Sequence, residues 1–387
     1  MKKTFKIILS YLLITFNSNV FSVENNQANI LKIGVLAPFS GEFKELGQTI
    51  LYSVNLALHD INDDSIKIYP KDSGYDKKKV VEACKEFQEE GIKIIIGPND
   101  SSFTKEIKNF ENLIFLSLSN MGSGIDKNVI MMGINLESQL IAIKKFINNQ
   151  KRKKTIILYP DNNNSKHVEK EIKNVAFKNA KLFKYSSDSK ILTGQIEKLT
   201  NYKRRKINLN ARIKKLEESD LPKDIRELNQ LKQKYTLGKV NFDSVVIIDF
   251  GNGLKSILTS LAYTDVSEKD ILIVTANQWF DDSILSETSI KSFYFPSINL
   301  KNFKRFNEKF LKNYEYKPSE ITILSYDAIG LIYYLWKNNI KINTASDFNF
   351  KKEIKAKIGK FKISDNKVLQ KLEIYKLEEN KFIKNKP

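Results

Sequence analysis

The sequence predicts an α/β protein of two lobes, each built on a parallel sheet covered by helices on both faces, with a helical hairpin inserted in the second lobe. Three observations carry that prediction. Short, continuously apolar runs alternate with segments whose apolar residues recur every three or four positions, the pattern of fully buried strands joined by amphipathic helices. The alternation restarts after Glu137, so the chain holds two such units, as its 387 residues also favour. Segment 198–239 breaks the rhythm with thirteen basic and five acidic side chains, a net charge of +8.

In the first unit, residues 30–36 read as a buried strand ended by the turn Ala37-Pro38-Phe39-Ser40-Gly41. Ile50, Leu51, Val54, Ala57, Leu58 and Ile61 then define one face of a helix, and 66–69 a second strand. A helix over 77–90 turns Val80, Val81, Ala83, Cys84 and Phe87 inward and is capped by Gly91, which makes Cys84 a core thiol. Strands over 92–96 and 113–118 flank the polar loop Gly97-Pro98-Asn99-Asp100-Ser101-Ser102. The second unit starts with a helix to about residue 149, then a strand over 155–159, a helix over 168–178 and a strand over 180–185. A strand over 245–249 ends at the turn Phe250-Gly251-Asn252-Gly253, and a helix over 254–262 leads to a strand over 270–275. Trp336 falls in an apolar helix over 329–336 and is expected in the core, whereas Trp279 is expected in a loop.

Within segment 198–239, Tyr202, Leu209, Ile213 and Leu216 make one sparse helical stripe, and Ile225, Leu228, Leu231 and Tyr235 another. Ser219-Asp220-Leu221-Pro222 between them supplies a cap and an early-turn proline. The segment is therefore read as a hairpin. It is either a solvated decoration or a protein-docking element, with Arg204, Arg205, Arg212, Lys215 and Arg226 as the candidate contacts.

Residues 1–22 have the layout of a secretory signal peptide: Lys2, Lys3 and Lys6, then a ten-residue apolar stretch over 7–16, then polar Asn17-Ser18-Asn19. Ten residues are too few to span a bilayer as a helix, and no cysteine follows at a lipoprotein position. A soluble exported protein is expected. Removing the segment lowers the formal charge from +19 by three lysines, to +16. Lys, Asn and Ile are abundant throughout the chain, so the basic balance reads as global bias, and no nucleic-acid partner is expected.

One cysteine excludes an intramolecular disulfide, and one Cys with two His cannot make a four-ligand zinc site. His59 and His167 stand near no nucleophile motif, and Gly251-Asn252-Gly253 lacks the third glycine of a dinucleotide fingerprint. No enzymatic activity, metal or cofactor is expected.

In open α/β sheets ligands sit beyond the carboxyl ends of the strands. That rule selects the loops at 40–41, 100–102, 117–120, 161–164 and 250–253, with Ser40, Ser101, Ser102, Ser119, Asn120 and Asp161 as cleft candidates, to which Asn277 and Trp279 of a further loop are added.

Ile33-Gly34-Val35-Leu36-Ala37-Pro38-Phe39-Ser40-Gly41 with Leu46-Gly47-Gln48, Ile94-Ile95-Ile96-Gly97-Pro98 with Ser101-Ser102, and Ser325-Tyr326-Asp327-Ala328 resemble, in that order, the type I periplasmic binding proteins of the leucine/isoleucine/valine-binding kind. The resemblance implies two lobes joined by three crossing strands, near 132–136, 294–298 and 359–361. Lobe 1 would then comprise 31–136 and 298–358, and lobe 2 would comprise 137–297 and 359–385. A narrower resemblance, carried by Phe115-Leu116-Ser117-Leu118-Ser119-Asn120, Met132-Gly133-Ile134-Asn135-Leu136-Glu137-Ser138-Gln139, Asn277-Gln278-Trp279-Phe280-Asp281-Asp282 and the charged insert, is to the penicillin-binding protein activator branch.

That branch implies a periplasmic, non-enzymatic regulator that contacts a peptidoglycan synthase. The alternative is the substrate-binding subunit of an ABC transporter, with a permease as partner and an amino acid or another small polar solute in the cleft. Thr275-Ala276-Asn277-Gln278 offers no acid for a ligand ammonium, which weakens the amino-acid reading.

Overall fold

The computed structural model describes residues 30–120, 126–177, 180–276, 280 and 292–385. The expected signal segment lies outside them. Among the described residues, no helix is long and apolar enough to cross a membrane.

The first lobe begins with β1 (Leu31–Ala37), α1 (Lys44–Ile61), β2 (Ile66–Asp72), α2 (Lys77–Glu89), β3 (Ile94–Ile96), the single turn α3 (Thr104–Ile107), β4 (Ile114–Ser117) and β5 (Val129–Met131). The chain then enters the second lobe through α4 (Leu136–Asn149), β6 (Thr155–Pro160), α5 (Ser165–Val175), β7 (Ala180–Tyr185) and α6 (Ser189–Leu199). The insert supplies α7 (Tyr202–Glu217) and α8 (Pro222–Leu231), and the lobe continues with β8 (Ser244–Ile247), α9 (Gly251–Tyr263), β9 (Leu272–Thr275) and β10 (Ser292–Ser297). The chain returns to the first lobe for α10 (Leu300–Tyr314), α11 (Thr322–Lys337), β11 (Phe350–Lys355), β12 (Lys360–Ser364) and β13 (Lys367–Lys371), and ends in the second with β14 (Glu373–Glu378) and β15 (Lys381–Lys384).

Among the described residues, the first sheet runs β11-β12-β13-β5-β4-β3-β1-β2 and the second β15-β14-β10-β9-β8-β6-β7. Both are mixed rather than wholly parallel: β11, β12 and β13 pair antiparallel at one edge, as do β10, β14 and β15 at the other sheet's edge. The expected third crossing at 359–361 also moves. β12 and β13 belong to the first sheet, and the chain crosses at Leu372, between β13 and β14.

Apolar strands fix this layering because successive side chains face opposite ways. Ile94 and Ile96 pack with α1 and α11, while Ile95 packs with Val80, Cys84 and Phe87 of α2. Gly34 makes room for that second layer, since a Cβ there would lie 2.7 Å from the Phe87 ring. Cys84 is fully buried, and burial pushes its thiol up to about 12, so it is inert core. Trp336 is only half-buried at the edge of the first core.

Two polar devices hold the frame. At the crossings, the buried Asn135 side chain donates to the Val368 carbonyl (2.7 Å) and accepts from the Ser138 amide (2.8 Å). Gln370 donates from its amide to the carbonyls of Met132 and Gly133, both at 3.1 Å, and its backbone N–H donates to Ser138 Oγ (3.0 Å). The first and third crossings are thereby joined side chain to backbone. In the first lobe, the buried Asp327 carboxylate on α11 accepts from the Lys357 and Ile358 amides (2.8 and 2.9 Å) and so secures the turn before β12.

Burial pushes the Asp327 carboxyl up to about 6, against the two amide bonds and Lys357, which favour the charge. The unfolded value is about 3.9, so the folded chain holds this proton more tightly. The associated stability is complete below about pH 4 and is lost as pH rises through about 6. Urea unfolding of wild type and Asp327→Asn should therefore show the difference in free energy moving in favour of the variant by about 2 kcal/mol between about pH 4 and pH 7. A constant difference across that range would contradict it.

Candidate functional site

The loops at the carboxyl ends of the strands form the cleft, and their polar side chains are largely engaged with one another. After β1, Asp72 accepts from the amides of Phe39 (2.8 Å) and Ser40 (3.1 Å), from Ser40 Oγ (2.5 Å) and from Lys79 Nζ (3.0 Å). Burial opposes the Asp72 charge, but the bonds from Ser40, Gly74, Lys79 and Phe39 outweigh it and hold the carboxyl far below the usual range. Ser40 thus belongs to a closed network that fixes its own loop.

After β3, Asp100 accepts from the Ser102 amide (2.6 Å) and from the Tyr75 hydroxyl. Burial raises the Asp100 pKa, yet these bonds bring it below normal. After β4, Ser117 Oγ donates to the Pro98 carbonyl (3.1 Å) and accepts from the Ser119 amide (3.3 Å). Gly133 completes the wall: a Cβ there would stand 2.2 Å from the Ser119 carbonyl oxygen. Asp100, Ser101, Ser119, Asn120 and Gly133 surround a cavity of about 210 Å³. The structure therefore brings together Ser101, Ser119 and Asn120. Ser102 is exposed beside them.

On the second lobe, Asp161 is exposed and lies 3.5 Å from Lys184. Asn277 and Trp279 lie outside the described residues. Sequence reasoning missed the pair of Tyr185 and Asp249, whose side chains meet at 2.5 Å. Asp249 also accepts from the Phe250 amide (2.8 Å), and burial, then Asp249, raises the Tyr185 pKa strongly. Gly251-Asn252-Gly253, expected as a turn, is the first turn of α9. Gly253 is needed there because a Cβ would sit 2.2 Å from Asp249 Oδ2.

A second cavity, of about 260 Å³, lies between the lobes beside the crossings, lined by Asn120, Asn135, Glu137, His167, Glu171 and Lys367. Glu137 pairs with Lys367 at 2.9 Å. Glu171 is buried on α5, with His167 Nδ1 4.0 Å from its Oε1 and, among the described residues, no hydrogen-bond partner at Oε2. The sequence held a signal for it: Glu171 falls in phase with Val168, Ile172 and Val175 on the inward face of α5.

The insert is a hairpin with its own small core of Leu209, Leu216 and Leu231. Arg212 grips Glu227 through two bonds of 2.9 and 2.7 Å, and Lys232 pairs with Glu217 at 3.0 Å. Arg205, expected as a surface contact, is buried instead. It donates to the carbonyls of Gly238 (3.0 Å), Thr264 (2.9 Å) and Asp265 (3.3 Å) and so anchors the hairpin to the lobe. Ile225 and Tyr235, expected on the inner stripe, are exposed: Tyr235 lies beyond the end of α8 at Leu231, and Ile225 faces solvent from within the helix. Arg204, Lys215 and Arg226 are exposed as expected.

Two lobes that sandwich a cleft, with the chain passing three times between mixed sheets, define the type I periplasmic-binding-protein fold. Residues 30–180 match the family model described as periplasmic binding protein. The structure resembles the C-domain of LpoA from Haemophilus influenzae, a regulator of PBP1A, with a TM-score of 0.60 and 15% identity over 92% of this chain and 100% of that domain. Full-length LpoA gives a TM-score of 0.60 and 14% identity over 93% of this chain, which spans 59% of the LpoA length. The leucine-binding protein LivK from Thermotoga maritima gives 0.56 and 13%, over 92% of this chain and 98% of that one. The TM-scores show a shared fold, and at these identities the fold alone. No curated protein matches the sequence.

Arg205→Ala would strip three carbonyls of their donor, at a cost of roughly 2–4 kcal/mol in urea unfolding. Limited proteolysis should then cut within 218–239 while the lobes stay folded. Arg212→Ala, at a half-exposed pair, should cost less than about 1 kcal/mol. Equal losses would deny Arg205 its anchoring role.

Proposed function

We propose that this protein is exported by its N-terminal segment and regulates a peptidoglycan synthase by direct contact through the hairpin on its second lobe. The hairpin carries this reading. It is a preorganised element with an internal core and a buried arginine anchor, and it presents Arg204, Lys215 and Arg226 near exposed Ile207 and Ile225. A rigid mixed basic and apolar face loses little entropy on docking. The fold shared with the LpoA C-domain supports the same direction.

One observation favours the second reading, a substrate-binding subunit of an ABC transporter. The bare Glu171 oxygen beside a cavity between the lobes could take a donor group from a small polar solute. Two other second-lobe acids are engaged, Asp249 with Tyr185 and Asp161 near Lys184, so Glu171 is the acid that would receive that donor.

Arg204→Glu, Lys215→Glu and Arg226→Glu together should leave the melting temperature unchanged and abolish capture of the synthase in pull-downs. Undiminished capture would remove the hairpin from the mechanism. A thermal scan against amino acids, short peptides and muropeptides should stay flat. A bound solute at a hundred times its Kd adds about 2.7 kcal/mol, a rise of a few degrees, and a selective rise would favour the transport reading.

A further inference from the structure

Away from the cleft, α11 and the β11–β12 hairpin leave a groove of about 680 Å³ on the first lobe, within the range of about 300–1,000 Å³ typical of small-molecule sites. Leu331 and Phe361 form its buried base. Tyr326 and Tyr334 from α11, with Ile354 and Ala356 from the facing hairpin, form its walls. The Tyr334 side is half exposed to solvent, with 53% of that residue accessible.

Gly330 keeps the groove open. A Cβ built there meets no atom within 4 Å, so packing does not require glycine, although glycine inside a helix costs about 1 kcal/mol relative to alanine. The position opens onto the groove.

The charges around this apolar trough are unbalanced. Lys352, Lys355 and Lys357 line it, and none forms an ion pair within 4.0 Å among the described residues. Lys357 Nζ lies 5.1 Å from the centre of the Tyr326 ring. The acids are already committed: Glu353 is 3.4 Å from Lys371 and 3.9 Å from Lys360, and Asp327 is bonded to two backbone amides. An apolar floor with a cationic rim is complementary to an apolar chain that ends in an anion. From Tyr326 to Tyr334 the groove runs about 12 Å along the helix axis. That length suits a medium-chain acyl group.

We infer that the groove between α11 and the β11–β12 hairpin binds a single-chain anionic amphiphile, with its acyl chain over Gly330 and Leu331 and its anionic head among Lys352, Lys355 and Lys357.

Isothermal titration of the full chain with decanoate, below its micellar concentration, tests this against neutral decyl maltoside and cationic decyltrimethylammonium. Decanoate should saturate at one molecule per chain and bind more tightly than either comparator, with an affinity that falls as salt is raised. Gly330→Leu fills the trough and removes the burial of two or three methylene groups, a weakening of about tenfold or more. Tyr334→Glu, at an exposed site, sets a like charge at the mouth and should also weaken binding, which covers the case in which the leucine variant does not fold. Replacing the three lysines by alanine should bring decanoate down to the affinity of the neutral comparator. The inference fails if decanoate gives no saturable heat, if both Gly330→Leu and Tyr334→Glu bind it unchanged, or if the cationic chain binds as tightly. It also fails if an acidic peptide saturates the groove where decanoate does not.

Discussion

Neutral amides at the crossings hold the two lobes in register. Where a strand leaves one sheet for another, its peptide groups lose their ladder partners and must find others or remain unsatisfied in the interior. Asn135 and Gln370 meet that demand with hydrogen bonds to Val368, Met132 and Gly133, and Ser138 links the two. None of these groups carries a charge, so their hydrogen bonds do not depend on ionic strength, whereas the Glu137–Lys367 pair beside them is open to screening. Both small cavities described above border this joint: one uses Gly133 as wall, the other Asn135.

The same economy of polar groups shapes the cleft. Asp72, Asp100 and Asp249 sit at the ends of strands where a ligand would be met, yet each carboxylate closes on its own loop or on a neighbouring tyrosine. The loops are therefore preorganised, and little of their chemistry is directed outward. Glu171 contrasts with them, since one of its oxygens is buried without a partner among the described residues. The hairpin follows the opposite plan to the cleft loops: its acids Glu217 and Glu227 are drawn into internal pairs, and the surplus of positive charge is left outside.

Much of the fold was legible because period and burial coincide. Strands continuously apolar over four or more residues could only lie inside, and the helices between them showed their inward faces. The boundary at residue 359 was misplaced for a definite reason. Phe361 and Ile363 alternate with Lys360 and Lys362, which identifies a strand, but alternation names no partner strand, and β12 pairs in the first sheet. At the site, Arg205 and Glu171 share a missed signal. Each is a charged residue in phase with an apolar stripe, Arg205 with Tyr202 and Leu209, Glu171 with Val168 and Ile172. A charge in that phase must be paired internally or poised for a ligand, and the two residues illustrate the two cases. Tyr185 and Asp249, 64 residues apart, could be brought together only by the sheet.

The crossing at Leu372 also bears on how the chain reaches its native state. β13 joins the first sheet beside β5, more than two hundred residues earlier, and β14 joins the second beside β10. Each lobe therefore awaits strands that are synthesised last. During synthesis the earlier segments emerge with an open sheet edge at β5 and another at β10, both apolar and ready to pair wrongly. Closure of such distant pairs is slow, so these two edges stay open until the later strands arrive.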